Sequence, residues 1–195
     1  MGTRTTGSDL MTLTIRRATS ADVDAVLGLV TEAARWLAKR GSDQWQYPPG
    51  RHRLAIERAT ARGEVWVVYD DTGAIIATVT LNAYADPEFW TPDDDPADAF
   101  YVHRMAVART ASGQEVGSAL LDWAGRQSVD AGKKWLRLDA WANNTALQDY
   151  YRQRSFQSVR LLSFGHRGSG ALFQRSATTQ LGTGPRLIED AALRR

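Results

Sequence analysis

The stretch YVHRMAVARTASGQEVGSALLDWAG, residues 101–125, holds the residue types and spacing best suited to chemistry on an anion. An alternating segment runs into a turn containing Gly113 and Gly117, and then into helical spacing. A chain that passes from strand through glycines into a helix presents bare backbone N–H groups where a phosphate can be held. Glu115 stands in the middle of that turn, where a carboxylate repels such a ligand. At ~6 Å from one phosphate charge and an effective dielectric of ~20, it costs about 3 kcal/mol, roughly a hundredfold in affinity. Relief comes if Glu115 points to solvent, or if Arg109 or Arg126 neutralises it. The donors at Gln114, Val116, Gly117 and Ser118 are main-chain groups and do not depend on side-chain identity.

Upstream of the turn, His103 supplies an imidazole that titrates near neutrality and takes protons from nucleophiles. Strict alternation puts it on one strand face with Tyr101, Met105 and Val107. Asp139, on a later strand, competes with it as a base. His52 and His166 have no companions and read as surface residues.

What the chain lacks narrows the chemistry. It has no Cys, which excludes disulfides, thiolate metal sites and a cysteine nucleophile, and fits a reducing cytoplasm. The turn has neither the Lys-Ser/Thr of a P-loop nor a dinucleotide G-x-G-x-x-G. No His/Asp/Glu spacing suggests a metal. A net charge of +2 with no long basic run gives nucleic acid no footprint. No apolar run approaches the ~18 residues of a membrane span. The start, MGTRTTGSDL, has no apolar core of a secretory signal; Gly2 with Thr6 matches a myristoylation pattern, but nothing polybasic follows.

The elements that must position these residues follow from periodicity. Residues 12–18 alternate as a strand, and Ser20 opens a helix with Val23, Val26, Leu27, Val30, Ala34 and Leu37 on one face. A Pro-Pro loop (44–50) precedes a helix over 51–62. Strands 64–70 and 73–82 flank an Asp-Thr-Gly hairpin turn. An acidic loop leads to strand 100–107, a helix ending near Gly132, strand 134–141, helix 145–153 and strands 157–164 and 169–176. The reading is one mixed α/β domain over 12–177, in the order βααβββαβαββ, with about seven strands and four helices. Residues 1–11 read as a flexible leader, and 178–195 as a tail with a short helix after Pro185.

That order and two motifs resemble the GNAT superfamily of N-acetyltransferases over roughly residues 12–177. Met105 and Val107 match the end of the family's fourth strand, and Gly117-Ser-Ala-Leu-Leu its helix entry. Asn144, Tyr151 and Phe156 keep the spacing of a second motif. Ser112, Glu115 and Ser155 depart from it, standing where the family has Arg/Gln, Gly and Gly. The resemblance implies a central, mostly antiparallel twisted sheet. It also implies acetyl-CoA as acyl donor, its pyrophosphate held around Gly113, Gln114, Val116, Gly117 and Ser118, its pantetheine along Met105 and Val107, with Asn144 facing it. Acetyl would pass directly to a small primary amine in a ternary complex. Tyr151 would protonate the leaving thiolate, with Tyr150 on a different helix face, and His103 or Asp139 would serve as base. The departures support an alternative, a GNAT-like binding or regulatory module whose cradle has degenerated. A homodimer is left open.

The loop from Asp86 to Asp98 carries six acids and no basic residue, either a solvated surface or a funnel for a cationic amine. Trp45, Tyr47 and Trp90, with Phe89, lie in loops where this fold would place its acceptor, and aromatics there can cover an apolar or cationic group. A small amine, a polyamine, an amino acid and a protein amine all remain open.

Overall fold

The computed structural model describes residues 11–190. Residues 1–10 of the leader, the Gly2–Thr6 pattern and the last five residues therefore lie outside the described residues. The elements are β1 (Thr12–Arg17), α1 (Val23–Ala38), α2 (Arg51–Ala61), β2 (Val65–Tyr69), β3 (Ile75–Asn82), β4 (Ala99–Val107), α3 (Val116–Asp130), β5 (Trp135–Trp141), α4 (Thr145–Arg152), β6 (Gln157–Leu161), β7 (Ser169–Ser176) and β8 (Arg186–Glu189). They form one eight-stranded sheet in the order β6-β7-β5-β4-β3-β2-β1-β8. Only β4–β5 and β1–β8 are parallel; the other five neighbouring pairs are antiparallel.

Helices α1 and α2 cover one face, where Val26, Val30, Ile56 and Ala59 pack on Val65, Val67 and Ala106. Helices α3 and α4 cover the other, where Leu120, Trp123 and Tyr151 pack on Ile15, Val68, Leu136 and Phe173. Each such buried aliphatic or aromatic side chain contributes about 1.5–3 kcal/mol. The start of α1 is fixed by Asp22, which accepts from the Thr19 amide at 2.7 Å and from Arg16 at 2.7 Å.

The chain end corrects the expected sheet. The segment after Pro185 is strand β8 rather than a short helix, and it raises the strand count to eight. Its Leu187 is buried beside Leu13 of β1, its parallel partner. The tail reaches it by crossing α3. Leu181 and Gly182 donate their amides to Asp122 at 2.8 and 2.9 Å, and Trp123 donates to Glu189 at 3.1 Å. That cover explains why α3 buries Ser118, Ala119, Leu121 and Asp122 as well as its expected apolar stripe.

Two irregularities shape the centre. The β4–β5 pairing runs from Ala99↔Trp135 only to Val102↔Leu138, although both strands continue beyond it. The sheet therefore splits, and main-chain groups of β4 past Val102 that point toward β5 lack a strand partner. Opposite the split, β3 and β4 shift register between Thr78 and Thr80, a bulge in which Arg104 takes φ 45°. The extra residue inverts the alternation. Tyr101 packs with Trp90 and Leu172, whereas Met105 and Val107 pack with the α3 and α4 side. Their expected common face with Tyr101 is thereby corrected.

Candidate active site

The split opens a cleft of about 1100 Å³ between the ends of β4 and β5, the loop after α1, and helix α4. His103, Asp139 and Tyr151 all line it, as do Met105 and Val107. Three candidate chemical groups far apart in sequence thus meet at one break in the sheet.

The cradle borders this cleft. Gly113 takes φ 82° and Glu115 φ 55°, so the turn keeps its left-handed shape without a glycine at the second position. That costs roughly 1–2 kcal/mol. Ser155 does the same at the end of α4, with φ 62°. The amides of Gly113, Glu115, Val116, Gly117 and Ser118 have no acceptor among the described residues. Gln114 differs from expectation: its amide is already directed to the Ala111 carbonyl at 3.4 Å, and its side chain lies by a separate, smaller hollow. Gly117 packs against Tyr150 and Met105, both of which line the cleft. A Cβ there would lie 2.2 Å from the Tyr150 hydroxyl and 3.9 Å from the Met105 methyl. A row of free amides at a helix N-terminus fits a phosphate-bearing ligand.

Glu115 is neither exposed to solvent alone nor paired with Arg109 or Arg126. Arg154, from the turn after α4, donates to its carboxylate at 2.8 Å, and the Ser118 hydroxyl donates to the same oxygen at 2.5 Å. Arg154 also donates to Ser118 at 2.6 Å and lies 3.5 Å above the Tyr150 ring. The Ser118 hydrogen bond, and then the Arg154 guanidinium, hold the Glu115 carboxyl below its ordinary range against the opposing effect of burial. The carboxylate is thus ionised and locally neutralised. Sequence reading missed Arg154 because it lies on another element; only the two helices' shared face brings it near.

Tyr151 buries its ring against Phe156 and Phe173 at centroid distances of 5.6 and 6.1 Å. Its hydroxyl has no hydrogen bond among the described residues and is not sealed from the cleft it lines. Burial pushes the phenol's pKa up, so it stays protonated. Tyr150, next to it in α4, also lines the cleft, with its hydroxyl over Gly117.

His103 faces Asp139 across the split, Nδ1 to Oδ1 at 4.0 Å, too long for a hydrogen bond. Its Nε2 is buried without a partner. Burial lowers the His103 pKa, opposed chiefly by Asp139, so the neutral, proton-accepting form prevails at pH 7. Asn144 caps α4, accepting from the Leu147 amide at 3.0 Å, and its amide donates to Gln44 at 2.7 Å.

Trp45 and Tyr47 line the cleft, but Trp90 does not. Trp90 is buried against Tyr101 beneath the Arg137 guanidinium, anchoring the acidic loop. That loop is no free anionic field. Asp86 and Glu88 meet Arg167 at 2.7 and 2.6 Å, Asp98 meets Lys134 at 2.5 Å, and Asp94 pairs with Arg160. Four of its six acids are thus paired, and Asp93 and Asp95 alone have no ion pair among the described residues, which weakens the basis for a cation funnel.

The family model "Acetyltransferase (GNAT) domain" matches residues 61–158, which span β2 through the start of β6. The chain belongs to the GNAT acetyltransferase family. It is 29% identical over 162 residues to an uncharacterized N-acetyltransferase of Bacillus subtilis, YesJ, covering 82% of this chain and 87% of that one. A GNAT-family acetyltransferase structure from Listeria monocytogenes is 26% identical, with a TM-score of 0.67, and covers 83% of this chain and 93% of that chain. The N-acetylglutamate synthase of Neisseria gonorrhoeae, solved with coenzyme A and L-arginine, shares the fold at 18% identity and a TM-score of 0.58, covering 87% of this chain and 34% of that one. Among the described residues, no helix is long and apolar enough to cross a membrane, and no group of His, Asp and Glu could hold a metal ion.

Proposed function

We propose that this GNAT protein is an N-acetyltransferase that moves an acetyl group from acetyl-CoA to a primary amine on a small molecule, by direct attack in a ternary complex. The observation that carries the reading is the row of unpaired amides at Gly113 and Glu115 to Ser118, set against Tyr150 and Met105 of the split that gathers His103, Asp139 and Tyr151. Neutralisation of Glu115 by Arg154 argues against the degenerate-module alternative.

The donor's pyrophosphate would rest on those amides, with the Arg109 guanidinium at the same end of the cleft. Its pantetheine arm would run along Met105 and Val107, replacing the missing strand partner, and Asn144 would face it. These main-chain donors fix the thioester and polarise its carbonyl before the acceptor arrives. Neutral His103, or Asp139 through a bridging water, takes the proton from the acceptor nitrogen as its lone pair attacks the carbonyl carbon. The C–N bond forms, the C–S bond breaks, and the Tyr151 hydroxyl gives its proton to the departing thiolate. Trp45 and Tyr47 wall the acceptor side.

Tyr151→Phe tests the assignment because it keeps the ring packing and removes only the proton. Turnover should fall by about 10²–10⁴-fold with little change in acetyl-CoA affinity. Full activity in that variant would remove Tyr151 from the mechanism.

A further inference from the structure

Resting on the acetyltransferase reading, we propose that the acceptor amine carries a carboxylate a few bonds from its nitrogen, and that Arg104 binds it. Arg104 lines the cleft immediately after His103, because the bulge in β4 turns consecutive residues toward the same space. It holds φ 45°, a conformation that a residue without a Cβ would adopt without strain. Its side chain is partly buried, and among the described residues it makes no hydrogen bond or ion pair.

The contrast with neighbouring arginines is informative. Arg62 is engaged by Glu64 at 2.8 Å, and Arg167 by Asp86 and Glu88. Arg40, Arg51 and Arg109 also line the cleft without an ion pair among the described residues, but each lies over an aromatic ring, Trp36, Tyr47 and Trp36, whereas Arg104 does not. Burial pulls the Arg104 pKa down, with Tyr47 and Asp139 raising it and Arg51 and Arg62 lowering it further, so its electrostatic surroundings are those of the acceptor wall. A guanidinium remains charged under such conditions and presents a planar fork matched to a carboxylate. Under the proposed function the donor's phosphates rest on the five amides of the cradle, which leaves Arg104 for the acceptor. An acceptor bound by Arg104 through its carboxylate would place its amine beside His103 and Asp139.

The test uses the full chain and two readouts. Twenty L-amino acids and their C-terminal amides are titrated into the protein saturated with coenzyme A, and binding is read by calorimetry independently of turnover. The same compounds are then assayed as acceptors with acetyl-CoA. At least one amino acid should bind, with its amide weaker by about 10–100-fold, the loss expected when a charged hydrogen-bonded pair is removed. Arg104→Met should raise the KM for that acid by a similar factor, Arg104→Lys should restore part of it, and neither should shift the Kd for coenzyme A. Amides binding as tightly as acids, or no binding by any acid, would overturn the proposal. Carboxylate-selective binding with no acetylation would uphold the anion site while defeating the transferase reading, so the two fail separately.

Discussion

Arg154→Met is the sharpest perturbation of the cradle. In the native protein Arg154 donates to the Glu115 carboxylate at 2.8 Å, so an approaching phosphate meets a near-neutral pair. Removing the guanidinium exposes one carboxylate roughly 6 Å from the phosphate, which at an effective dielectric of about 20 costs about 3 kcal/mol, or a hundredfold in Kd. Glu115→Gly alone leaves the Arg154 guanidinium without its carboxylate, so by the same arithmetic it should tighten binding, by up to about a hundredfold. The double variant should recover most of the loss. Quenching of tryptophan fluorescence by acetyl-CoA provides the assay, since Trp36 and Trp141 both line the cleft. Near-UV circular dichroism checks folding, because Arg154 also braces Ser118 and Tyr150. An unchanged Kd in both Arg154→Met and Glu115→Gly would refute the reasoning by showing that the pair does not act on the phosphates. Equal losses in Arg154→Met and the double variant would show that Arg154 serves the phosphates directly.

Other expectations follow from the same geometry. His103 acts as a base only when neutral, and burial lowers its pKa, so the acid limb of kcat/KM should lie below the ordinary histidine value of 6.5. His103→Gln should abolish that limb and slow turnover by about 10²–10⁴-fold; loss of the limb in Asp139→Asn instead would assign the base to Asp139. The Arg16 hydrogen bond, foremost, holds Asp22 down from 3.8 to about 2. Its folded-state pKa is depressed, so its stabilisation is present above about pH 4 and lost as pH falls through 2. Asp22→Asn should cost about 1–3 kcal/mol in urea unfolding at pH 7 and progressively less below pH 4. An equal cost at pH 7 and pH 2.5 would mean that the charge contributes nothing.

Most elements were legible because each has one strong period. The alternation of β1 and the three- and four-residue spacing of α1 both persist in the fold. Strand β8 was not legible: RLIEDAALRR has helical spacing, and only pairing with β1, some 170 residues earlier, makes Arg186–Glu189 extended. The bulge at Arg104 was hidden for a related reason. No glycine marks it, and alternation counted across it assigns Met105 to the wrong face. Within the site, the residues on the strand and the turn could be read locally, whereas charge compensation could not. Glu115 is answered by Arg154 from α4's far end, and the acidic loop by cations from three later strands and loops. Sequence shows where charges are, but only the fold shows which are already paired.

The most direct measurement is isothermal titration of acetyl-CoA into the unmutated protein. The account predicts saturable binding near one equivalent in the micromolar range, with a rise in melting temperature on addition of acetyl-CoA. The absence of both heat and any thermal shift would contradict it, leaving a GNAT fold whose cradle no longer holds its ligand.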